Sequence, residues 1–282
     1  MTFGTILRLG RVSNLPTVWT NALAGAALAA GGAPDLATVA WAALALTLFY
    51  EGGMWLNDAF DAEIDAREKA DRPIPMGEVS RGAVFTGGWA LLAIGVLLAL
   101  SMSVTAGLVG LCLTAAIVLY DWLHKRTVLS PVIMGATRFF SYGLAAVAAA
   151  TFSEAALIGA LGLFAYIIGL TYAAKQEAYD RIGAAWPLAV LAAPLLLAAY
   201  QGVAAPAALI FFAGLAAVVA YALRRLFRRA KGDVPVAVVT LIAGVSLYDA
   251  TLIAGTGAFG LACIAAAGFV ATLALQRVAS GT

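Results

Sequence analysis

The segment from Asn57 to Asp65 reads N-D-A-F-D-A-E-I-D and carries the residue types best suited to chemistry. On a helix turning about 100° per residue, with Asn57 at zero, Asp58 sits at about 100°, Asp61 at about 40° and Asp65 at about 80°. One amide and three carboxylates therefore share one face. Like charges spaced this way repel unless a cation lies among them. The donors are all oxygen, with no His or Cys nearby. That set suits a hard ion such as Mg2+, which binds through a few carboxylates together with substrate phosphates. The plainer alternative is an acidic helix end in water, neutralised by Arg67, Lys69 and Arg72.

The same grammar recurs at Gln176, Glu177 and Asp180: amide, acid, two intervening residues, acid. The counterpart of Asp65 is here Ala184. Two acidic helix ends facing one cavity could hold Mg2+ and bridge a diphosphate. Arg72, Lys125, Arg126 and Lys175 could balance the remaining phosphate charge; each could equally be a topology signal. Tyr120 and Asp121 precede His124, the only histidine, which reads better as an interfacial polar residue than as a base. Glu51, Arg138 and Asp249 lie inside apolar runs, where charge is costly and faces a bundle interior. Arg138 could pair with Glu51 or Asp249, or line a reaction cavity. Asn14 and Asn21, two turns apart, could point inward with Thr17 or simply bond neighbouring helices.

These residues need a membrane scaffold. The chain is 63% hydrophobic and only 11% charged, against about 45–50% and 25% in soluble domains. A spanning helix needs about 20 apolar residues. Runs near 14–33, 35–57, 81–102, 103–123, 131–152, 154–178, 184–201, 205–226, 234–254 and 256–276 satisfy or approach that length. The expected fold is all-α, with nine or ten transmembrane helices around a central cavity. Basic residues fall in every second connection, and GGAPD, SMSV, TFSE, QGVAAP and AGTGAF contain no Lys or Arg. The positive-inside rule then places the motifs and both termini in the cytoplasm. Size and composition suit a bacterial inner membrane. No removable signal peptide is evident. Residues 2–12 could lie on the membrane surface, and the basic cluster 224–231 reads as an anchor to anionic lipids. A net charge of +2 gives no case for a nucleic-acid partner. Cys112 and Cys263 are too few for a disulfide framework.

The stretch N-D-A-F-D-A-E-I-D…R-P-I-P-M-G-E-V-S, residues 57–80, resembles the first aspartate-rich motif of the UbiA superfamily of intramembrane prenyltransferases. The resemblance extends to the N-terminal R-L-G-R-V-S-N-L-P-T, to the Y-D-W-L-H-K-R loop, and to a second motif at 176–183. It implies a single domain over 1–282, with helices ringing a cavity open sideways to lipid. It implies Mg2+ on the two motifs, holding the diphosphate of an isoprenoid donor. Asn57, Asp61 and Asp65 would be ligands with Asp58 in support. Asp180 would serve the second motif, with Glu177 able to take over from the position beside Gln176, and Arg72 and Lys125 would serve the diphosphate. Two features depart from the family pattern. Gln176 stands where an Asp is usual, and Lys125 follows Tyr120 by five residues rather than four. These departures, with ten spans where many members have nine, resemble EboC-like members.

The implied reaction is electrophilic alkylation by an allylic cation, with Phe49, Trp55, Phe139, Phe140 and Tyr142 as candidate π-faces. The acceptor is unspecified; an aromatic ring or a lipid-like molecule fits. No obvious general base appears, and Asp121 and Asp249 are the candidates. A non-catalytic protein that binds or moves a lipid-like or aromatic metabolite is the main alternative, and Gln176 favours it. An ion-coupled transporter would require broken helices near the midplane.

Overall fold

The computed structural model describes residues 2–176, 183–202 and 205–277. Among these every regular element is helical. A short helix α1 (Phe3–Leu9) and a 3-10 turn lead into α2 (Leu15–Ala30) and α3 (Leu36–Glu68). There follow α4 (Arg81–Met102), α5 (Val104–Leu123), α6 (Ser130–Ala149) and α7 (Glu154–Ala174). A 3-10 segment (Trp186–Leu191) runs into α8 (Ala192–Gly202), and α9 (Ala208–Arg228), α10 (Asp233–Gly255) and α11 (Phe259–Gln276) complete the bundle. Ten apolar segments therefore stand where the sequence places them. Among the described residues, eight of these helices are long and apolar enough to cross a membrane; α2 and the Trp186–Gln201 segment are shorter.

The shortness of α2 has a packing reason. It is buried over 13 of its 16 residues and packs against α3, α6, α7, α10 and α11. Most of its face meets protein rather than lipid. One apolar cluster, with Val18, Leu46, Phe49, Leu92 and Leu113, joins α2 to α3–α6. A second, with Leu28, Leu163, Tyr166, Leu215 and Leu241, joins it to α7, α9 and α10, and a small third, of Leu9, Ala59 and Val84, lies apart from these two.

Close approach needs glycine at a few crossings. A Cβ on Gly162 of α7 would lie 2.0 Å from the Tyr248 hydroxyl oxygen. Tyr248 is fully buried and its hydroxyl donates to the Gly159 carbonyl at 2.8 Å, so it cannot swing away. Gly162→Ala is expected to destabilise the bundle by about 1–3 kcal/mol, read as a lower unfolding midpoint in detergent. An unchanged midpoint would show that α7 and α10 separate freely.

The long α3 is what positions the motif. It is capped at its start by Asp35, whose carboxylate accepts from the Thr38 amide at 2.9 Å. At 33 residues it is about 50 Å long, against a hydrocarbon core of about 30 Å. Its last turns, Asn57 to Glu68, therefore extend past the apolar layer as a continuation of a rigid spanning helix. Short connections alternate the helices, so the 69–80 and 124–129 connections and the end of α7 at Lys175 gather at this motif end. Lys175 bonds across to the 124–129 loop, and Ser153 and Gln201 tie the opposite end together.

Candidate active site at the motif end

Asn57, Asp58, Asp61 and Asp65 are all buried, whereas Glu63, Ala66 and Arg67 on the other side of α3 are exposed. The shared face read from the helical period is thus turned into the protein. Each acid but Asp65 is met by a basic side chain. Asp58 Oδ1 accepts from Arg72 Nη1 at 2.5 Å and from Arg11 Nη2 at 3.0 Å. Asp61 Oδ2 lies 3.1 Å from Lys125 Nζ and 3.2 Å from His124 Nε2. The His124 ring stacks on Tyr120, with centroids 5.1 Å apart. Asn57 donates through Nδ2 to Asp121 Oδ1 at 3.1 Å and accepts through Oδ1 from Arg11 at 3.2 Å.

Arg11 is the site residue that the sequence reading passes over. It is a non-glycine residue in the left-handed region, with φ of 44°, a conformation that costs of order 1–3 kcal/mol and persists only when surroundings fix it. Those surroundings are Asn57, Asp58 and the Tyr50 hydroxyl, which donates to the Arg11 carbonyl at 3.1 Å. Burial works against the guanidinium charge, but the Asp58 carboxylate and Tyr50 hold its pKa above the usual value. The N-terminal R-L-G-R offered the residue type and its place at the membrane edge. The contact itself spans 46 residues of chain and has no local signature.

The α3 face continues downward as a cavity wall. Leu46, Phe49, Tyr50, Gly53 and Met54 precede Asn57 at helical spacing and line a cavity shared with α2, α5 and α6. Leu113, Ile117, Tyr120 and Asp121 form its α5 side, and Met134, Thr137, Arg138 and Ser141 its α6 side. Asp121 stands where the polar end meets the apolar one. Its Oδ2 is enclosed and has no hydrogen-bond partner among the described residues.

Other expected site residues lie elsewhere. Arg126 is exposed on the 124–129 loop. Lys175 donates to the His124 and Thr127 carbonyls and to Ser130 Oγ at 2.8 Å, strapping that loop to α7. Partial burial pulls its pKa down. Gln176 lies beside Gly183. Glu177 and Asp180 fall outside the described residues. Asn14 is buried and accepts from Gln276 Nε2 at 2.6 Å, joining α11 to the start of α2. Arg138 contacts neither Glu51 nor Asp249 directly. It donates to Asn21 Oδ1 at 2.9 Å, and Asn21 donates to Asp249 Oδ2 at 2.8 Å. Glu51 is turned instead toward Gly10. Of the five aromatics considered, Phe49 lines the cavity. Trp55 packs on Gly87, Phe139 meets Phe140 and Phe152, and Tyr142 donates to Asp249.

The donor chemistry fits Mg2+: α3 presents oxygen ligands, and beside them Asp121 Oδ2 is unpartnered among the described residues. Among the described residues, however, no three His, Cys, Asp or Glu side chains converge as a ready-made metal site. The acids are drawn to basic side chains instead.

Above the site, α1 is fastened to the 69–80 connection. Glu78 accepts from Thr5 Oγ1 at 2.8 Å and from the Arg8 guanidinium. Arg8, with Thr5, holds the Glu78 pKa below its ordinary value. A depressed carboxyl pKa gives stability that is present above the unfolded value and lost as pH falls through the folded one. The amides of α1 are therefore expected to be protected from hydrogen exchange near neutral pH and to lose protection below about pH 4. Glu78→Gln should show the loss at neutral pH already. Equal protection across these conditions would show that α1 is held by other contacts.

Comparison with known proteins agrees with this architecture. The UbiA prenyltransferase family profile matches residues 18–235. Digeranylgeranylglyceryl phosphate synthase of Thermococcus kodakarensis is 30% identical over 185 residues, 64% of each chain. Protoheme IX farnesyltransferase 1 of Cenarchaeum symbiosum is 33% identical over 158 residues, 54% of this chain and 51% of that one. The chain thus spans just under two thirds of the first relative and about half of the second. A UbiA homolog from Aeropyrum pernix superposes with a TM-score of 0.69 at 20% identity, covering 86% of this chain and 97% of that one. A UbiA homolog from Archaeoglobus fulgidus bound to GPP and Mg2+ gives 0.54 at 14% identity, covering 97% and 99%. At these identities the superpositions speak for the fold, and the profile match extends over most of the chain, including the carboxylate face, Arg72, Lys125 and the cavity beneath, with Arg11 just ahead of it. The protein is an integral membrane member of the UbiA prenyltransferase family.

Proposed function

We propose that the protein transfers a prenyl group from an isoprenoid diphosphate to an acceptor within the membrane, in a Mg2+-dependent reaction. The observation that carries this reading is the single face of α3, which passes from the apolar wall at Leu46, Phe49 and Gly53 to Asn57, Asp58, Asp61 and Asp65. A prenyl diphosphate has the same division, an apolar tail and a charged head. Asn57, Asp61 and Asp65, supported by Asp58 and joined by Glu177 and Asp180 of the second motif, would hold Mg2+. When bound, that ion stabilises charge on the departing diphosphate.

Arg11, Arg72 and Lys125 stand on these carboxylates and supply positive charge for the phosphates. Their preorganised charge favours breaking the allylic C–O bond. The cavity below excludes water, which would otherwise trap the cation. Phe49 and Tyr50 offer it π-faces. An electron-rich acceptor, aromatic or lipid-like, then forms the new bond and gives up a proton. The chain acts as one domain over 1–282. The loop charges alone support a cytoplasmic motif end; the relatives named above are archaeal and lend nothing to a bacterial origin.

A second reading keeps the diphosphate site without turnover. Gln176, lying beside Gly183, favours it. The test of the shared premise is calorimetry on protein in lipid nanodiscs with geranyl thiodiphosphate, an unreactive donor analogue. Binding should weaken at least tenfold when EDTA removes Mg2+. Binding that ignores EDTA would remove Mg2+ from the account.

A further inference from the structure

Arg138 is a guanidinium placed deep in the bundle, with one hydrogen bond among the described residues. It lies eight residues into α6 from Ser130, about 12 Å below the motif end of that helix. One nitrogen, Nη1, donates to Asn21. The guanidinium carbon is 6.0 Å from the centre of the Tyr50 ring. No ion pair to Arg138 occurs among the described residues. The nearest carboxylate in its network, Asp249, is already satisfied by Asn21 and by the Tyr142 hydroxyl. Arginine carries five N–H donors in a fixed fork.

The Arg138 side of α6 borders the cavity. Arg138 lines it beside Thr137 and Ser141 and keeps accessible surface although it sits at membrane depth. Thr137 and Ser141 turn their hydroxyls back to their own helix, to the Met134 and Thr137 carbonyls. Apart from Tyr50, and from Tyr120 and Asp121 at the motif end, the rest of the wall is apolar, with Val18, Leu46, Phe49, Leu113, Ile117 and Met134. A charged side chain at this depth is costly and is normally paired or turned to a functional cavity. Asn21, fully buried and itself held by Asp249, fixes one nitrogen of the guanidinium.

The donor diphosphate does not account for this position. Its basic set, Arg11, Arg72 and Lys125, surrounds Asp58 and Asp61. Tyr50, which Arg138 overlies, precedes Asn57 by seven residues, about 10 Å along α3. A diphosphate is shorter than that separation. The prenyl tail has nothing to offer a guanidinium. The geometry points to a second anion subsite: Arg138, held by Asn21, binds an acidic group on the acceptor, a carboxylate or a phosphate. This rests on the prenyl-transfer reading of the same cavity and makes Arg138 a determinant of which acceptors enter.

The test uses the full chain in lipid nanodiscs and three probes of one shape: biphenyl-4-carboxylate, biphenyl-4-yl phosphate and the neutral biphenyl-4-carboxamide. Empty nanodiscs give the partitioning background. The wild type should bind at least one anion ten or more times more tightly than the amide, and the preferred anion tells carboxylate from phosphate. Arg138→Gln should abolish that preference while Mg2+-dependent geranyl thiodiphosphate binding stays within about twofold, a control that also reports folding. If the Gln variant does not fold, Arg138→Lys replaces it, with a tenfold loss expected from the missing fork; the wild-type comparison needs no variant. Equal binding of anions and amide, or an anion preference that survives Arg138→Gln, overturns the subsite. Failure of the anions alone, with the thiodiphosphate still bound, overturns the subsite and leaves the diphosphate site standing. Failure of the thiodiphosphate removes the reading beneath both.

Discussion

Asp61→Asn is expected to lower prenyl transfer by on the order of a hundredfold or more while leaving the bundle folded. Asp61 is where two basic groups of the 124–129 loop meet the α3 face, Lys125 at 3.1 Å and His124 at 3.2 Å. Asparagine keeps the shape and one acceptor oxygen but removes the charge that would hold Mg2+ and fix Lys125. The structural cost is small. The Lys125 side chain is about one third exposed (35%), and exposed ion pairs contribute about 0–1 kcal/mol. Turnover and unfolding midpoint should therefore separate: the first collapses and the second barely moves. Wild-type turnover in the variant would remove Asp61 from the chemistry, and a matching fall in midpoint would make its role structural.

Asp249→Leu is expected to do the reverse and destabilise the fold by about 3–5 kcal/mol, the usual cost of removing one member of a buried charged network. Asp249 is fully buried in α10 and accepts from Asn21 of α2 at 2.8 Å and from Tyr142 of α6. Leucine would strand both donors, each at about 1–3 kcal/mol, and would leave the Arg138 charge without a carboxylate behind Asn21. The three helices meet across the boundary between the two larger apolar clusters, so the loss should loosen one half of the bundle from the other. Asp249→Asn keeps the volume and one acceptor and should recover part of the loss. Denaturant titration in detergent measures both. A Leu variant as stable as the wild type would show that apolar packing alone holds α2, α6 and α10 together.

What the sequence makes legible follows from how local the signal is. The face shared by Asn57, Asp58, Asp61 and Asp65 depends on the helical period alone, and those four are buried while Glu63 and Arg67 are exposed. The order of apolar segments follows from hydropathy, and among the described residues α2 and the segment at 186–201 fall short of a full span; α2 is surrounded by protein. Partners across the bundle are another matter. Three ionisable residues in apolar runs suggested direct pairing, but the amide of Asn21 is interposed between Arg138 and Asp249, and Glu51 turns to Gly10. Lys175 has the charge expected near a diphosphate, yet the carbonyls of a neighbouring loop take its donors. Arg11 reaches the motif only because its backbone adopts a left-handed turn between α1 and α2, which no spacing announces.

The reconstituted protein should be incubated with geranyl, farnesyl or geranylgeranyl diphosphate, Mg2+ and a mixed panel of aromatic and lipid acceptors, and released diphosphate and prenylated product counted together. Equal amounts of both, abolished by EDTA and by Asp61→Asn, are the predicted result. Tight Mg2+-dependent binding of the donor with neither diphosphate nor product released would contradict it and identify the chain as a member of its family that binds without turning over.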